Sequence, residues 1–220
     1  QSLPGEEMIA VVGLNAHIGV WESAEAWLRR LFGVECATAP APKPEQWGIE
    51  QRDELRGYFL EKLELPVGKF KIPPKEMEES LPQQLLMLKV AAGAIADAKM
   101  NLSNEAALRT GVFTGIGLDF NSTNFSYRWK IAARAKTWAQ KLGLNLNEDE
   151  MQAWITALRD AFCPPLTANR TVGALGGIVA SRIAREFKIG GAGITISSEE
   201  NSGLQALNAA VRLLQAETID

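Results

Sequence analysis

The stretch from Gly190 to Leu207, GGAGITISSEENSGLQAL, decides how this chain is read. Small residues lead into the β-branched run Ile194, Thr195, Ile196. Polar Ser197 to Ser202 follow, and then Leu204, Ala206 and Leu207 open a helical pattern. That order is a strand, a tight elbow and a helix. The elbow is where such a unit does chemistry. A nucleophile at a helix N-terminus gains from the positive end of the dipole and from unpaired backbone N–H groups, which favour a thiolate or an oxyanion. No cysteine stands here; the elbow carries Glu199 and Glu200 instead. A carboxylate at a helix start is also what ordinary capping and dipole complementation select.

Composition bounds the rest. At 220 residues, with 46% hydrophobic and 22% charged side chains, the chain is long enough for one well-cored α/β domain. A formal net charge of -3 gives no basic stripe for nucleic acid. Cys36 and Cys163 lie far apart and outside any metal-ligand spacing, so neither a disulfide framework nor a metal site is expected, and a reducing cytoplasm is the default location. The first seven residues lack the basic and apolar regions of a signal peptide, and no apolar run approaches the roughly 20 residues that span a bilayer.

Outward from the elbow, residues 8–12 form a β-branched run ending at Gly13, which predicts a buried strand with close backbone approach just after it. Residues 23–32 place Ala24, Trp27, Leu28 and Leu31 at helical spacing behind Ser23 as cap. Pro40, Pro42 and Pro44 predict a surface loop. Ser80-Leu-Pro-Gln83 reads as a capping box for a helix over 81–99 with Leu85, Leu88, Ala92 and Ile95 on its apolar face. Gly111 to Gly117 reads as a strand and glycine turn. Residues 119–167 then exceed what a compact connection needs and predict an inserted pair of helices over 127–142 and 148–162, the second capped by Asn147 with Glu150. Residues 171–187 read as one helix whose Gly173, Ala174, Gly176, Gly177 and Ala180 imply a closely packed neighbour. A strand is expected over 189–196.

Four blocks in order carry a family resemblance. Residues 169–220, with the elbow, resemble the N-terminal half of a β-ketoacyl synthase, the condensing branch of the thiolase-like fold. There a buried strand ends Asp-Thr-Ala-Cys-Ser-Ser and a helix of the type Ser-Leu-Val-Ala-Leu follows. Ile9-Ala-Val-Val-Gly13 is similar to the family's opening strand, Leu81-Pro-Gln-Gln-Leu-Leu-Met-Leu-Lys-Val-Ala91 to its Asp-Pro-Gln-Gln-Arg helix, and Gly111-Val-Phe-Thr-Gly-Ile-Gly117 to the strand and turn before its variable region. Superposing Leu204-Gln-Ala-Leu207 on the family helix puts Glu200 at the nucleophilic cysteine.

The resemblance implies an α/β chain with thiolase-like α/β/α/β/α layers (N-terminal half), a mixed sheet with helices on both faces, and a helical insertion. Residues 1–220 are then one N-terminal domain, the strand at 189–196 pairs across a two-fold axis, and the family's second half, with two catalytic histidines, is expected to be absent from this chain. The implied partners are an acyl carrier protein, which supplies phosphopantetheine, and a ketosynthase subunit or second copy. Metal, nucleic acid and membrane span are not implied. With Glu200 at the cysteine position, condensation fails, because a carboxylate forms no thioester. The resemblance then offers a non-condensing, chain-length-factor-like partner. Its alternatives are a malonyl-thioester decarboxylase, an active condensing enzyme using Ser197, Ser198 or Ser202, or an α/β interaction module.

The remaining candidates read as structural. His17 is the only histidine, so no Ser-His-Asp or Cys-His-His set can be completed by this sequence. Glu199 reads as solvated or salt-bridged. Gly173 to Gly177 lacks the G-x-G-x-x-G order of a phosphate loop. Six tryptophans are scattered rather than gathered into a base-stacking platform, and Phe120, Phe125, Tyr127 and Trp129, flanking Asn121 and Asn124, are candidates for a dimer surface.

Overall fold

The computed structural model describes residues 8–34, 57–102, 104–117 and 120–220. The loop expected around Pro40 to Pro44, Trp47 and Cys36 lie outside the described residues. In chain order the elements are α1 (Ala24–Leu31), α2 (Pro74–Glu79), α3 (Pro82–Asp97), α4 (Asn104–Arg109), β1 (Val112–Gly115), α5 (Phe120–Lys141), α6 (Glu148–Phe162), α7 (Ala168–Gly173), α8 (Ile178–Phe187), β2 (Gly193–Ile196), a 3₁₀ turn (Glu199–Asn201) and α9 (Ser202–Gln215). The protein is α/β and helix-rich, with a small parallel sheet.

β1 and β2 pair in parallel, Val112 opposite Gly193 and Gly115 opposite Ile196. Side chains alternate along a strand, so each face meets its own helix. Val112 and Thr114 are buried towards α8, where Val112 joins Val179, Ala180 and Ile183 in a core completed by Phe70, Ile72, Leu85 and Leu88. The Thr114 hydroxyl lies 3.0 Å from that of Thr195, which accepts from the Ala180 N–H at 3.3 Å. On the opposite face Gly115 lies against the start of α9.

Local signals set several boundaries as expected. Ser23 caps α1 by accepting from the Ala26 N–H at 3.1 Å. Asn147 and Glu150 form the full capping box of α6, with both bonds present at 2.9 and 2.8 Å. α5 and α6 make the expected inserted hairpin, joined near its open end by Arg128 and Asp160 at 2.5 Å. α5 begins seven residues earlier than its apolar pattern predicts.

Other expectations are corrected. Residues 8–12 form no strand; Met8 and Val11 are 100% and 83% exposed. β-propensity describes fit to a half-buried sheet surface, and this run has no described strand beside it. The close approach after it is real, since a Cβ on Gly13 would stand 2.5 Å from the Ala94 carbonyl oxygen. An apolar cavity of about 420 Å³, lined by Ala94, Phe113 and Leu214 among others, lies along β1 away from β2, and residues 8–12 do not enter it.

The capping box at Ser80 is absent. Its hydroxyl donates to the Glu76 carbonyl at 2.7 Å, closing α2, while α3 starts at Pro82 behind Leu81 with no side-chain cap. Residues 171–187 are not one helix: α7 ends at Gly173 and α8 starts at Ile178. Close packing holds at Gly173, whose Cβ would meet the Glu79 carbonyl oxygen at 2.8 Å, and fails at Gly177, which has open space. The expected strand over 189–196 is confined to its last four residues. Gly190 and Gly191 spend their N–H groups on the carbonyls of Ala107 and Thr110, at 2.8 and 3.1 Å.

Three of the aromatics gather despite their scatter along the chain. Trp21 meets Trp27 and Tyr58 edge-on with centroids 5.5 and 5.1 Å apart, and Trp27 meets Tyr58 at 5.2 Å. His17, four residues before Trp21 in sequence, is buried, and burial together with Lys89 holds it below its ordinary pKa. Among the described residues no helix is long and apolar enough to cross a membrane.

Candidate functional site

The two strands end side by side, locked by the Ile116 N–H donating to the Ile196 carbonyl at 2.9 Å. Beyond β2 the chain turns sharply through Ser197 and Ser198. Glu199 takes φ +48°, a left-handed conformation that costs a side-chain-bearing residue energy and is kept only where the surroundings enforce it. The enforcing group is Ser202. Its buried hydroxyl accepts from the Ser198 N–H at 2.9 Å and lies 2.6 Å from the Glu199 carbonyl oxygen and 3.2 Å from that of Ile116. One side chain thereby ties the turn, the first turn of α9 and the end of β1 together.

Gly115 makes that seat possible. A Cβ there would stand 2.4 Å from both the Gly203 nitrogen and the Ser202 carbonyl carbon, which are backbone atoms that cannot swing aside. Gly115→Ala is therefore expected to lower Tm by roughly 5 °C, an overpacking cost of about 2 kcal/mol in a chain of this size. Gly203→Ala, where a Cβ meets nothing within 4 Å, is expected to leave Tm unchanged or raised. Thermal melts of the two variants check this. Equal Tm values would mean that α9 does not rest on β1.

Glu199 and Glu200 are both exposed, and among the described residues neither has a cation partner. They put two negative charges at the positive end of α9. Of the serines, Ser202 is buried and committed to the turn, and the Ser198 N–H is spent on it. Ser197 lines a cavity of about 240 Å³ with Leu81, Gln84, Ile116, Gly177 and Thr195. Glu200 does not reach this cavity. The Gln83 side-chain oxygen, Oε1, is buried at its wall without a donor.

Beneath the cavity runs a polar network that sequence reasoning missed. The Gln84 amide donates to the carbonyls of Gly173, Leu175 and Val172 at 2.7, 3.1 and 3.3 Å, and its oxygen accepts from Arg182 Nε at 3.0 Å. Arg182 continues to Glu76 at 2.8 Å. Those carbonyls belong to the break between α7 and α8, so the break is held by a side chain about ninety residues away. The signal was present as a glutamine and an arginine on otherwise apolar helix stripes, at Gln84 beside Leu85 and Leu88 and at Arg182 beside Val179 and Ile183.

Chemically, the elbow offers a helix start, an open carboxylate pair and a small cavity with hydroxyl and amide groups. Among the described residues it offers no thiol and no imidazole, the one histidine lying with Glu22 and Lys89. Among the described residues no group of three His, Cys, Asp or Glu is placed to hold a metal ion.

Residues 6–220 match the family model of the β-ketoacyl synthase N-terminal domain. Over 96% of its length the chain is 23% identical to a subunit of the polyunsaturated fatty acid synthase of a Thraustochytrium species, and over 97% it is 24% identical to the spectinabilin polyketide synthase system protein NorA of Streptomyces orinoci. It spans 10% of the length of each. Half of the chain is 42% identical to a 6-methylsalicylic acid synthase of Penicillium expansum, of which it covers 7%. With the strand, elbow and helix in place and the family model spanning nearly every residue, the chain belongs to the β-ketoacyl synthase family and matches its N-terminal domain.

Proposed function

We propose that the chain acts as a non-condensing, chain-length-factor-like ketosynthase domain of a polyketide or polyunsaturated fatty acid synthase, with Glu200 in the place of the nucleophilic cysteine. The observation that carries this reading is the elbow itself: a strand, a tied turn and a helix start presenting a carboxylate where an acyl chain would need a thiolate. In this reading the two described strands belong to one half of a thiolase-like layered fold, and the exposed side of β2 meets a ketosynthase subunit or a second copy. An acyl carrier protein brings the substrate on its phosphopantetheine arm, and the setting is cytoplasmic.

Decarboxylation is disfavoured by charge. An ionised Glu200 about 4 Å from a malonyl carboxylate would repel it by about 4 kcal/mol in a partly dry site. A hydroxyl nucleophile is disfavoured because Ser197, the one elbow serine on the cavity, has no described imidazole to take its proton. Intact mass spectrometry after incubation with octanoyl-N-acetylcysteamine tests the proposal. The expected result is no acyl adduct on the wild-type chain; an octanoyl adduct mapping to Ser197 would replace this reading with that of an active acyltransferase.

A further inference from the structure

A second polar pocket, of about 90 Å³, lies between α8 and the segment leading into α2, lined by Arg182, Arg185 and Glu186 on the helix and by Lys71, Ile72 and Glu76 opposite. It shares no lining residue with the cavity at the elbow. At that size it is too small for most organic ligands and roomy enough for one tetrahedral oxyanion.

The bonds already made within it leave an excess of donors. Arg182 is 8% exposed, its Nε donating to the Gln84 oxygen at 3.0 Å and its Nη1 to Glu76 at 2.8 Å. Its Nη2 has no acceptor among the described residues, although a guanidinium carries five N–H groups and a buried one is expected to use them. The exposed side chains of Arg185 and Lys71 likewise have no carboxylate partner among the described residues. Glu186 accepts the Lys71 backbone N–H through Oε2 at 3.0 Å, which leaves Oε1 without a donor among the described residues. Three cations thus face two carboxylates, one of them already bound to Arg182, and the pocket keeps one positive charge in excess.

We infer that this pocket binds inorganic phosphate. Arg182 Nη2, Arg185 and Lys71 donate to the phosphate oxygens, and the free oxygen of Glu186 accepts the O–H that phosphate still carries at neutral pH. That carboxylate sets the selectivity. Sulfate has the same shape and no proton at neutral pH, so it meets Glu186 as a like charge with nothing between them. A phosphate monoester presents the same group, but with its second pKa near 6 it has mostly lost that proton at pH 7. The inference is independent of the elbow chemistry and of the role proposed for Glu200.

The test is isothermal calorimetry on the 220-residue chain at pH 7 in a buffer free of phosphate and sulfate, with inorganic phosphate, sulfate and methyl phosphate titrated in separately. Phosphate is expected to bind saturably with a Kd of about 1 mM or tighter, and sulfate at least about tenfold more weakly. Lys71→Gln with Arg185→Gln is expected to weaken phosphate binding at least about tenfold with unchanged circular dichroism, since neither side chain holds a bond in the fold. Glu186→Gln keeps an oxygen for the Lys71 N–H and is expected to bring sulfate to within about threefold of phosphate. Sulfate binding as tightly as phosphate to the wild-type chain, or phosphate binding unchanged in the double variant, would overturn the inference. So would the absence of saturable heat up to about 20 mM phosphate, which would leave the pocket to water. Methyl phosphate binding more tightly than phosphate would overturn the assignment to the free ion in favour of the phosphoryl end of an ester.

Discussion

Gln84→Leu is expected to destabilise the chain by about 3 kcal/mol, more than loss of a typical exposed hydrogen bond, because the amide is 1% exposed and serves four partners. Leucine has similar bulk, so little of the cost comes from a cavity. The cost comes from the carbonyls at 172, 173 and 175, which keep only their backbone donors at Leu175, Leu81 and Ile178, and from the buried guanidinium edge of Arg182, whose Nε loses its acceptor. Arg182→Leu is expected to cost a comparable amount, about 3 kcal/mol, because it strands Glu76 and the Gln84 oxygen together. The double variant should lose less than the sum, since both changes remove one shared contact. Urea unfolding of the three proteins measures this. Losses under about 1 kcal/mol would mean that water replaces the network and that the α7–α8 break stands without it.

Glu200→Cys is expected to produce a thiol that iodoacetamide alkylates about five to ten times faster at pH 7 than a thiol at Glu217→Cys. The comparison isolates the helix field. Position 200 is exposed in the turn just before α9, and Glu217 is exposed just after its end, so both sites are open and they differ in which pole of the dipole they face. Peptide mapping reads each site apart from the two native cysteines, Cys36 and the buried Cys163. Equal rates at the two positions would remove the helix start as a site of anion stabilisation and leave Glu199 and Glu200 as surface charges.

The sequence was most legible where structure is local. The Asn147–Glu150 box and the Ser23 cap are set by residues three apart, and both boundaries follow from them. It was least legible where a distant residue competes. The Ser80 box lost to a carbonyl one turn back in α2, and the helix expected over 171–187 is split where Gln84 captures the carbonyls near its start, at 172, 173 and 175. The run at residues 8–12 has strand-forming side chains, but a strand exists only with a neighbour to bond, and none of that information is in the run itself. At the elbow, the order of strand, turn and helix and the carboxylate at Glu200 were readable. The left-handed Glu199, the tie through Ser202 and the separation of Glu200 from the cavity depend on the end of β1, eighty-odd residues earlier in the chain.

The most direct measurement is native mass spectrometry of the purified chain with a malonyl-loaded acyl carrier protein, run beside Glu200→Ala. The expected result is a complex whose malonyl cargo keeps its mass over time in both proteins. Loss of carbon dioxide from the cargo with the wild-type chain, abolished by Glu200→Ala, would contradict the non-catalytic reading and make Glu200 part of a decarboxylase.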